Sequence, residues 1–461
     1  MTLTVPIFPI PKQDLSLLSY IRTASRNPLA IFSERYYHEK VITRRYFGRT
    51  QIVFNDPEAI RQVLTEQKDY YKKPIITHRI VFPMAGGGLV LAEGDTWKRQ
   101  RRMLSPAYTP RNIEKLMPHF VKAIMDWGKS VQDDQPINLA QESQLLVLRI
   151  IAQSVFSVAI GHPLERDIVE GFRQYTLKLG TPHFSDTIAK NRDDFSFMPL
   201  ARGRRAFKNE WFGKIDGFLT ERLKQSTDAS NRDVVDLLQE ARDSETGEGL
   251  SREEMVDQIA TLTAAGLDTT ARGMFWIFYL LALAPQWQEV IREEVNAVPD
   301  LFEAPTLEKL ERLKKTKAVW QEVLRLYPTN PFMVRQALRA HRVMDTDVPK
   351  DALVGLIPWI MHRHHAYWDS PEQFRPERFY DNRTIPKGVY IPFGVGPRIC
   401  IGATFSFAEG MLILAAVVKR WHIVLADRKP VLPVMMTATL PSYDPMFRLQ
   451  PVKANKEFQA A

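Results

Sequence analysis

A single cysteine, Cys400, stands in a chain of 461 residues, inside the string FGVGPRICIG from Phe393 to Gly402. It limits the fold in two ways. One thiol can neither close an internal disulfide nor hold a cysteine-ligated iron–sulfur cluster, so a hydrophobic core must carry the fold. The residues around it also demand an unusual backbone. Gly394, Gly396 and Gly402 permit conformations closed to other residues and let a flat ligand approach. Pro392 and Pro397 stiffen the loop, and Arg398 places a fixed positive charge two residues before the sulfur, suited to a carboxylate on a cofactor. A helix beginning just after Cys400 would aim backbone N–H groups at a thiolate, and a thiolate held there is a soft-metal ligand. An isolated cysteine is more often a small buried core residue. Here the neighbours favour a ligand.

Composition supplies the core. Hydrophobic residues make up 45% and charged residues 25%, ordinary values for a globular chain. The net charge is +9, from 62 Lys and Arg against 53 Asp and Glu. Such a surplus suits nucleic acid, an anionic surface or an acidic protein, or serves only solubility. No basic run is interleaved with aromatics, which argues against nucleic acid. The N-terminus, MTLTVPIFPIPKQDLSLLSY, has no basic start followed by a clean apolar stretch, so neither signal peptide nor membrane anchor is expected. The strongest apolar run, Phe275 to Ala284, is too short to span a bilayer. The expected location is cytoplasmic and soluble.

No internal repeat or flexible linker divides the chain. The expectation is one domain over 1–461, mainly α with minor β, with a β-rich lobe at about 41–55 and 332–360 and the cysteine loop at 392–402. Alternation and β-branched residues from Val41 to Phe54 predict a hairpin. Helical patterns cover about 28–40, 56–69, 95–129, 140–158, 165–180, 204–226, 251–296, 306–327 and 403–420. Ser251 with Glu254 forms a capping box, and Pro285 should divide the helix that starts there.

Four motifs, taken together, resemble the cytochrome P-450 family. Phe393, Gly396, Arg398, Cys400 and Gly402 match its haem-binding signature. Glu322 and Arg325 match its E-x-x-R pair, with Arg378 of RPERF as a third member. Ala265 to Thr270, AGLDTT, matches the acid–alcohol motif of its distal helix, and its weak helix formers break local rules in mid-helix, as functional sites do. Trp97 and Arg101 match W-x-x-x-R. The order from 97 to 402 is the family's own. The resemblance implies the P-450 fold, with haem b between the long distal helix and the helix after the cysteine. It implies Cys400 as axial iron ligand, and Trp97, Arg101, Arg335, Phe393, Arg398 and Gly402 as haem contacts. Asp268 and Thr269 would deliver protons, and Gly266 would widen a groove for dioxygen. Glu322, Arg325 and Arg378 would be structural.

The activity implied is monooxygenation of a lipophilic small molecule by dioxygen, as in soluble bacterial members. Electrons would come from NAD(P)H through a separate ferredoxin or flavodoxin-type donor and its reductase, and the chain would act as a monomer. Lys98, Arg99 and Arg102 are candidates for docking that donor. Candidate substrate walls are 73–91, 170–200 with Phe184, Phe195 and Phe197, then Leu262, Ala265, Pro331, Phe332 and Val334, and a turn at Leu440 and Pro441. Two other readings stand beside this one. One is a haem-thiolate sensor without turnover, against which Asp268 and Thr269 argue. The other is a basic scaffold without haem, which requires all four motifs to be coincidence.

Overall fold

Helices carry most of the chain in the computed structural model, which describes residues 3–46, 48–157, 163–224, 233–380, 384–427 and 429–452. At the centre runs one helix of 32 residues, Arg252–Leu283, roughly 48 Å long at ~1.5 Å per residue. Ser251 caps it: its Oγ accepts the Glu254 N–H at 3.1 Å, and the Glu254 carboxylate accepts the Ser251 N–H at 2.9 Å. From Leu267 to Leu281 nearly every side chain is buried, whichever way it points. A helix apolar all round must be wrapped by neighbours. They are Leu139–Phe156, Ile75–Ala85, Pro199–Leu223, Lys314–Leu326 and Ala403–Arg420. Trp276 locks the packing by stacking on Tyr327 at 3.9 Å between centroids and donating to the Thr439 carbonyl at 2.9 Å. The helix stops at Leu283, and Pro285 caps its successor, Gln286–Asn296, as proline chemistry requires.

The β structure lies to one side. A five-stranded sheet has the order Val41–Tyr46, Arg49–Phe54, Leu353–Leu356, Met333–Ala337, Tyr71–Lys72. Only the Arg49–Phe54/Leu353–Leu356 pair is parallel. A small apolar cluster under this sheet, including Ile52, Phe54, Val354 and Leu356, is distinct from the main helical core. Trp421–Leu425, Phe447–Pro451 and Pro136–Ile137 form a second sheet. Among the described residues no helix is long and apolar enough to cross a membrane.

Several boundaries differ from expectation. The stretch 95–129 is two helices, Gly94–Leu104 and Pro110–Ser130, because Pro106 and Pro110 lack the N–H a continuous helix would use. Residues 28–40 form two 3-10 turns, Pro28–Ile31 and Glu34–Tyr37, and no longer helix. Ile75–Ala85 is helical although it contains Pro83. Its C-terminus is held by tertiary contact, since Thr261 Oγ1 donates to the Ala85 carbonyl at 2.7 Å.

Candidate active site

The cysteine loop is built from its own backbone. Cys400 N–H donates to the Phe393 carbonyl at 2.9 Å, Ile399 N–H to Gly396 at 3.1 Å, and Gly394 N–H to Ile391 at 3.1 Å. Gly396 has φ of +76°, and a Cβ there would lie 2.7 Å from the Leu64 carbonyl oxygen and from Thr65 Oγ1. Only glycine meets both conditions. Gly402 caps the helix Ala403–Arg420. Cys400 sits deep among protein atoms yet keeps accessible surface, as a side chain at the foot of a cleft does. Burial pushes its thiol up, opposed by the Gly402 N–H and the Arg101 guanidinium. A cation that replaces the proton removes that penalty, since metal-bound thiols are deprotonated outright. Arg101 donates to the Ile399 carbonyl at 2.9 Å, so it lies beside the cysteine.

The long helix presents an accessible stripe in its mostly buried middle, Leu262, Ala265, Gly266 and Thr269, with Ala264 partly accessible off that face. The four stripe positions share a helix face. Thr269 Oγ1 donates to the Ala265 carbonyl at 2.7 Å. One residue further, Thr270 Oγ1 meets Ser406 Oγ at 3.3 Å, tying this helix to the one that follows Cys400. Asp268 points elsewhere. Its carboxylate pairs with Arg272 Nε at 3.1 Å and accepts from Thr437 Oγ1 at 3.1 Å. Gly266 has a packing role, because a Cβ there would come 3.1 Å from Ile151 Cδ1. Phe332 and Val334 are partly accessible, whereas Leu440 is buried and Phe197 is 75% exposed at the surface. The Phe184 side chain lies outside the described residues.

A third element is a cluster of positive charge. The Arg398 guanidinium lies 4.4 Å from the Trp97 ring centroid, donates to the Ala92 carbonyl at 2.9 Å and pairs with Glu93 at 2.6 Å. Lys73 Nζ reaches the same carboxylate at 3.2 Å, and burial pulls its ammonium down to about 8. Burial also lowers Arg335 and Arg398, and the two repel one another. Three cations, Lys73, Arg335 and Arg398, gather at Glu93, and Asp69, which also acts on Arg398, is already paired with Lys68 at 3.3 Å, which leaves two positive charges over. Haem b brings two propionates. The donor set fits: one thiol for the iron, a surplus of two for the carboxylates. Sequence reasoning missed Lys73 and Glu93, which sit in no motif. Of the predicted contacts, the structure gathers Trp97, Arg335 and Arg398 and leaves Arg101 with the cysteine.

The predicted docking cations are committed inside the chain. Lys98 pairs with Asp95 at 2.8 Å, Arg99 with Glu254 at 2.5 Å, and Arg102 with Asp243 and Glu245, both at 2.9 Å.

Behind the loop, Glu322 and Arg325 make a fully buried bidentate pair at 2.7 and 2.8 Å. Arg378 Nε joins Glu322 at 3.3 Å, and Arg325 also donates to the carbonyls of His362 and Pro371, both at 2.8 Å. His362 carries the network to the loop, because its Nε2 accepts the Ile391 N–H at 2.8 Å. Burial, with Arg325 and Arg363 nearby, drives His362 down from 6.5 to about 3. The unfolded chain therefore binds a proton below pH 6.5 that the folded chain refuses until about pH 3. The stability this neutral ring contributes is full above that upper value and is lost as pH falls through the window. Between about pH 6.5 and about pH 5 the loss is on the order of 1–2 kcal/mol. His362→Gln keeps an acceptor for Ile391 but has no proton to bind. Urea midpoints at the two pH values should fall further for wild type than for this variant; equal falls would refute the assignment.

The sequence model of the cytochrome P-450 family matches residues 16–449. Cyclooctatin synthase of Streptomyces melanosporofaciens is 28% identical over 421 residues, covering 88% of each chain. Cyclooctat-9-en-7-ol 5-monooxygenase of the same organism is 26% identical, over 89% of this chain and 88% of its own. The crystal structure of the cytochrome P450DA heme domain superposes with a TM-score of 0.81 at 22% identity, covering 97% of this chain and 98% of that one.

Proposed function

The chain belongs to the cytochrome P-450 family and is a monooxygenase of that family; from that premise we propose that it inserts one oxygen atom into a C–H or C=C bond of a lipophilic small molecule, with Cys400, Thr269 and Asp268 as its working residues. The observation that carries this reading is the pairing of the accessible Cys400 thiol with a cation cluster two charges in surplus. Haem b bound there supplies one-electron redox chemistry and dioxygen activation. Cys400 is the ligand, with its charge favoured by the Gly402 N–H and Arg101. Trp97, Arg335, Arg398 and Lys73 would hold the propionates, and Phe393 and Gly402 flank Cys400 in the loop. The partly accessible apolar residues Leu262 and Ala265 of this stripe, and Phe332 and Val334, would receive an apolar body and exclude water.

Thr269 holds a hydroxyl proton on this stripe, at rest on the Ala265 carbonyl. Asp268 is at rest on Arg272 and Thr437, so to pass a proton towards Thr269 its carboxylate must leave Arg272. Electrons come from NAD(P)H through a ferredoxin or flavodoxin-type donor and reductase, since this chain's one cysteine cannot hold a cluster. Lys98, Arg99 and Arg102 remain candidates for the donor's docking face, with Lys98 the most exposed of them. The proposal includes a soluble, cytoplasmic monomer; among the described residues no helix is long and apolar enough to cross a membrane.

The test is labelled dioxygen with a lipophilic probe and a generic ferredoxin pair, read as label in product per NAD(P)H consumed. Positioned proton transfer contributes ~10²–10⁴-fold, and water recovers part of it, so Thr269→Ala should cut that ratio on the order of 10- to 100-fold. Thr269→Ser keeps the hydroxyl and should restore most of it. A Thr269→Ala protein with unchanged coupling would remove Thr269 from proton delivery.

A further inference from the structure

Away from the cysteine, a partly open cavity of about 140 Å³ lies between the helix Ile75–Ala85, the loop 189–198 and the helix Pro199–Leu223. Its walls are basic. Arg79 and Arg204 both spend their charge on the single buried carboxylate of Asp186, each at 2.8 Å. Arg192 has only the highly exposed Asp193, at 3.9 Å. Arg205 is exposed on the same wall. Lys208 Nζ lies 5.2 Å from the Phe82 ring centroid, and Arg192 lies 3.9 Å from it, so two cations converge on one aromatic ring. Five cations face Asp186 and Asp193, with Asp194 beside Arg79 and Asp257 near Lys208, so one positive charge is left over. Like charges gathered on a concave apolar wall favour an anion.

His78 lines the cavity and also feels Lys73 and Glu93 of the propionate-holding cluster. The helix Ile75–Ala85 runs from the cavity to the long helix, where Ala85 meets Thr261, one turn before Ala265. Six residues from Arg79 to Ala85 and four from Thr261 to Ala265 amount to roughly 15 Å at ~1.5 Å per residue.

We propose that this cavity is an entry site for the anionic head of an amphipathic organic acid, whose apolar body lies along Ile75–Ala85 and reaches Ala265 and Thr269. The substrate class is thus an organic acid with a long apolar body, oxidised far from its acid group. This rests on the monooxygenase reading above and adds to it the substrate's charge.

The experiment is calorimetric titration of the haem-loaded chain with dodecanoate and with dodecan-1-ol, which share an apolar body and differ in head charge. Three exposed pairs, each worth up to about five-fold, predict a preference for dodecanoate of about ten-fold. It should shrink between ~0.05 and ~0.5 M salt, because exposed charges are screened. The triple variant Arg192→Gln, Arg205→Gln, Lys208→Gln should bring the ratio close to one while dodecan-1-ol binds as before. Equal affinity for the two probes in wild type, or a preference the triple variant keeps, overturns the proposal. Vesicles with anionic and with neutral headgroups form the second arm. Loss of anionic-vesicle binding in the triple variant, with dodecanoate preference intact, assigns the charges to a lipid surface and overturns it as well. The carbon monoxide spectrum of the reduced protein reports the haem-thiolate reading separately, so failure of one is distinguishable from failure of the other.

Discussion

Cys400→Ala is expected to abolish the strongly red-shifted Soret band of the reduced carbon monoxide complex and to take monooxygenase turnover to background. The chain has no other thiol to substitute, so no rearrangement can restore sulfur ligation. The effect should be local. Cys400 is held through its backbone N–H to the Phe393 carbonyl, which alanine keeps, and the Gly394 and Gly396 turns do not depend on the sulfur. The variant should therefore unfold in urea near the wild-type midpoint while its spectrum changes completely. That contrast separates a ligand from a core residue. A buried small side chain would show the reverse, a stability loss with the spectrum unchanged. The same carbon monoxide spectrum in both proteins would sink the haem-thiolate assignment.

Glu322→Ala is expected to produce the largest loss of stability in the molecule. The Glu322 carboxylate is fully buried and receives Arg325 twice, Arg378 once and the Arg375 N–H at 2.9 Å. Its removal leaves two guanidinium charges inside the protein with no anion, a change that typically costs about 3–5 kcal/mol. Whole domains are stable by about 5–15 kcal/mol, so the variant should be marginal. The damage passes through Arg325 to the His362 carbonyl and through His362 to Ile391, two residues before Phe393. Haem retention should fall with stability, measured as haem co-eluting with protein and as the urea midpoint. Glu322→Gln keeps acceptors but not charge and should lie between the two. A midpoint shift worth less than about 1 kcal/mol for the alanine variant would show that the charges reach solvent or another acid.

Local chemistry made part of this legible. The cysteine loop could be read because its demands are met within ten residues: φ above zero at Gly394 and Gly396, and a helix start at Gly402. The capping box at Ser251 and the break at Pro285 are likewise short-range. Glu322 and Arg325 share a helix face by spacing alone. Arg378 could be joined to them only by family resemblance, since 53 residues separate it from Arg325 and no periodicity links them. The proline break at 106–110 was equally local but was masked by strong helical periodicity on both sides.

The sequence by itself marked the candidates for chemistry, one thiol and a hydroxyl and acid in mid-helix, and beside them a structural charge pair and a mainly helical core. Tertiary structure alone decided where charge gathers. Lys73, Glu93, Arg335 and Arg398 come from four separate segments, and their surplus of two exists only where these meet. It also decided that Asp268 faces Arg272 and Thr437, that Gly266 makes room for Ile151, and that Arg101 serves the cysteine. The physical reason is range. Backbone strain, capping and helix spacing act over a few residues and are written in order along the chain, whereas electrostatics and packing act through space between residues that may be far apart in sequence.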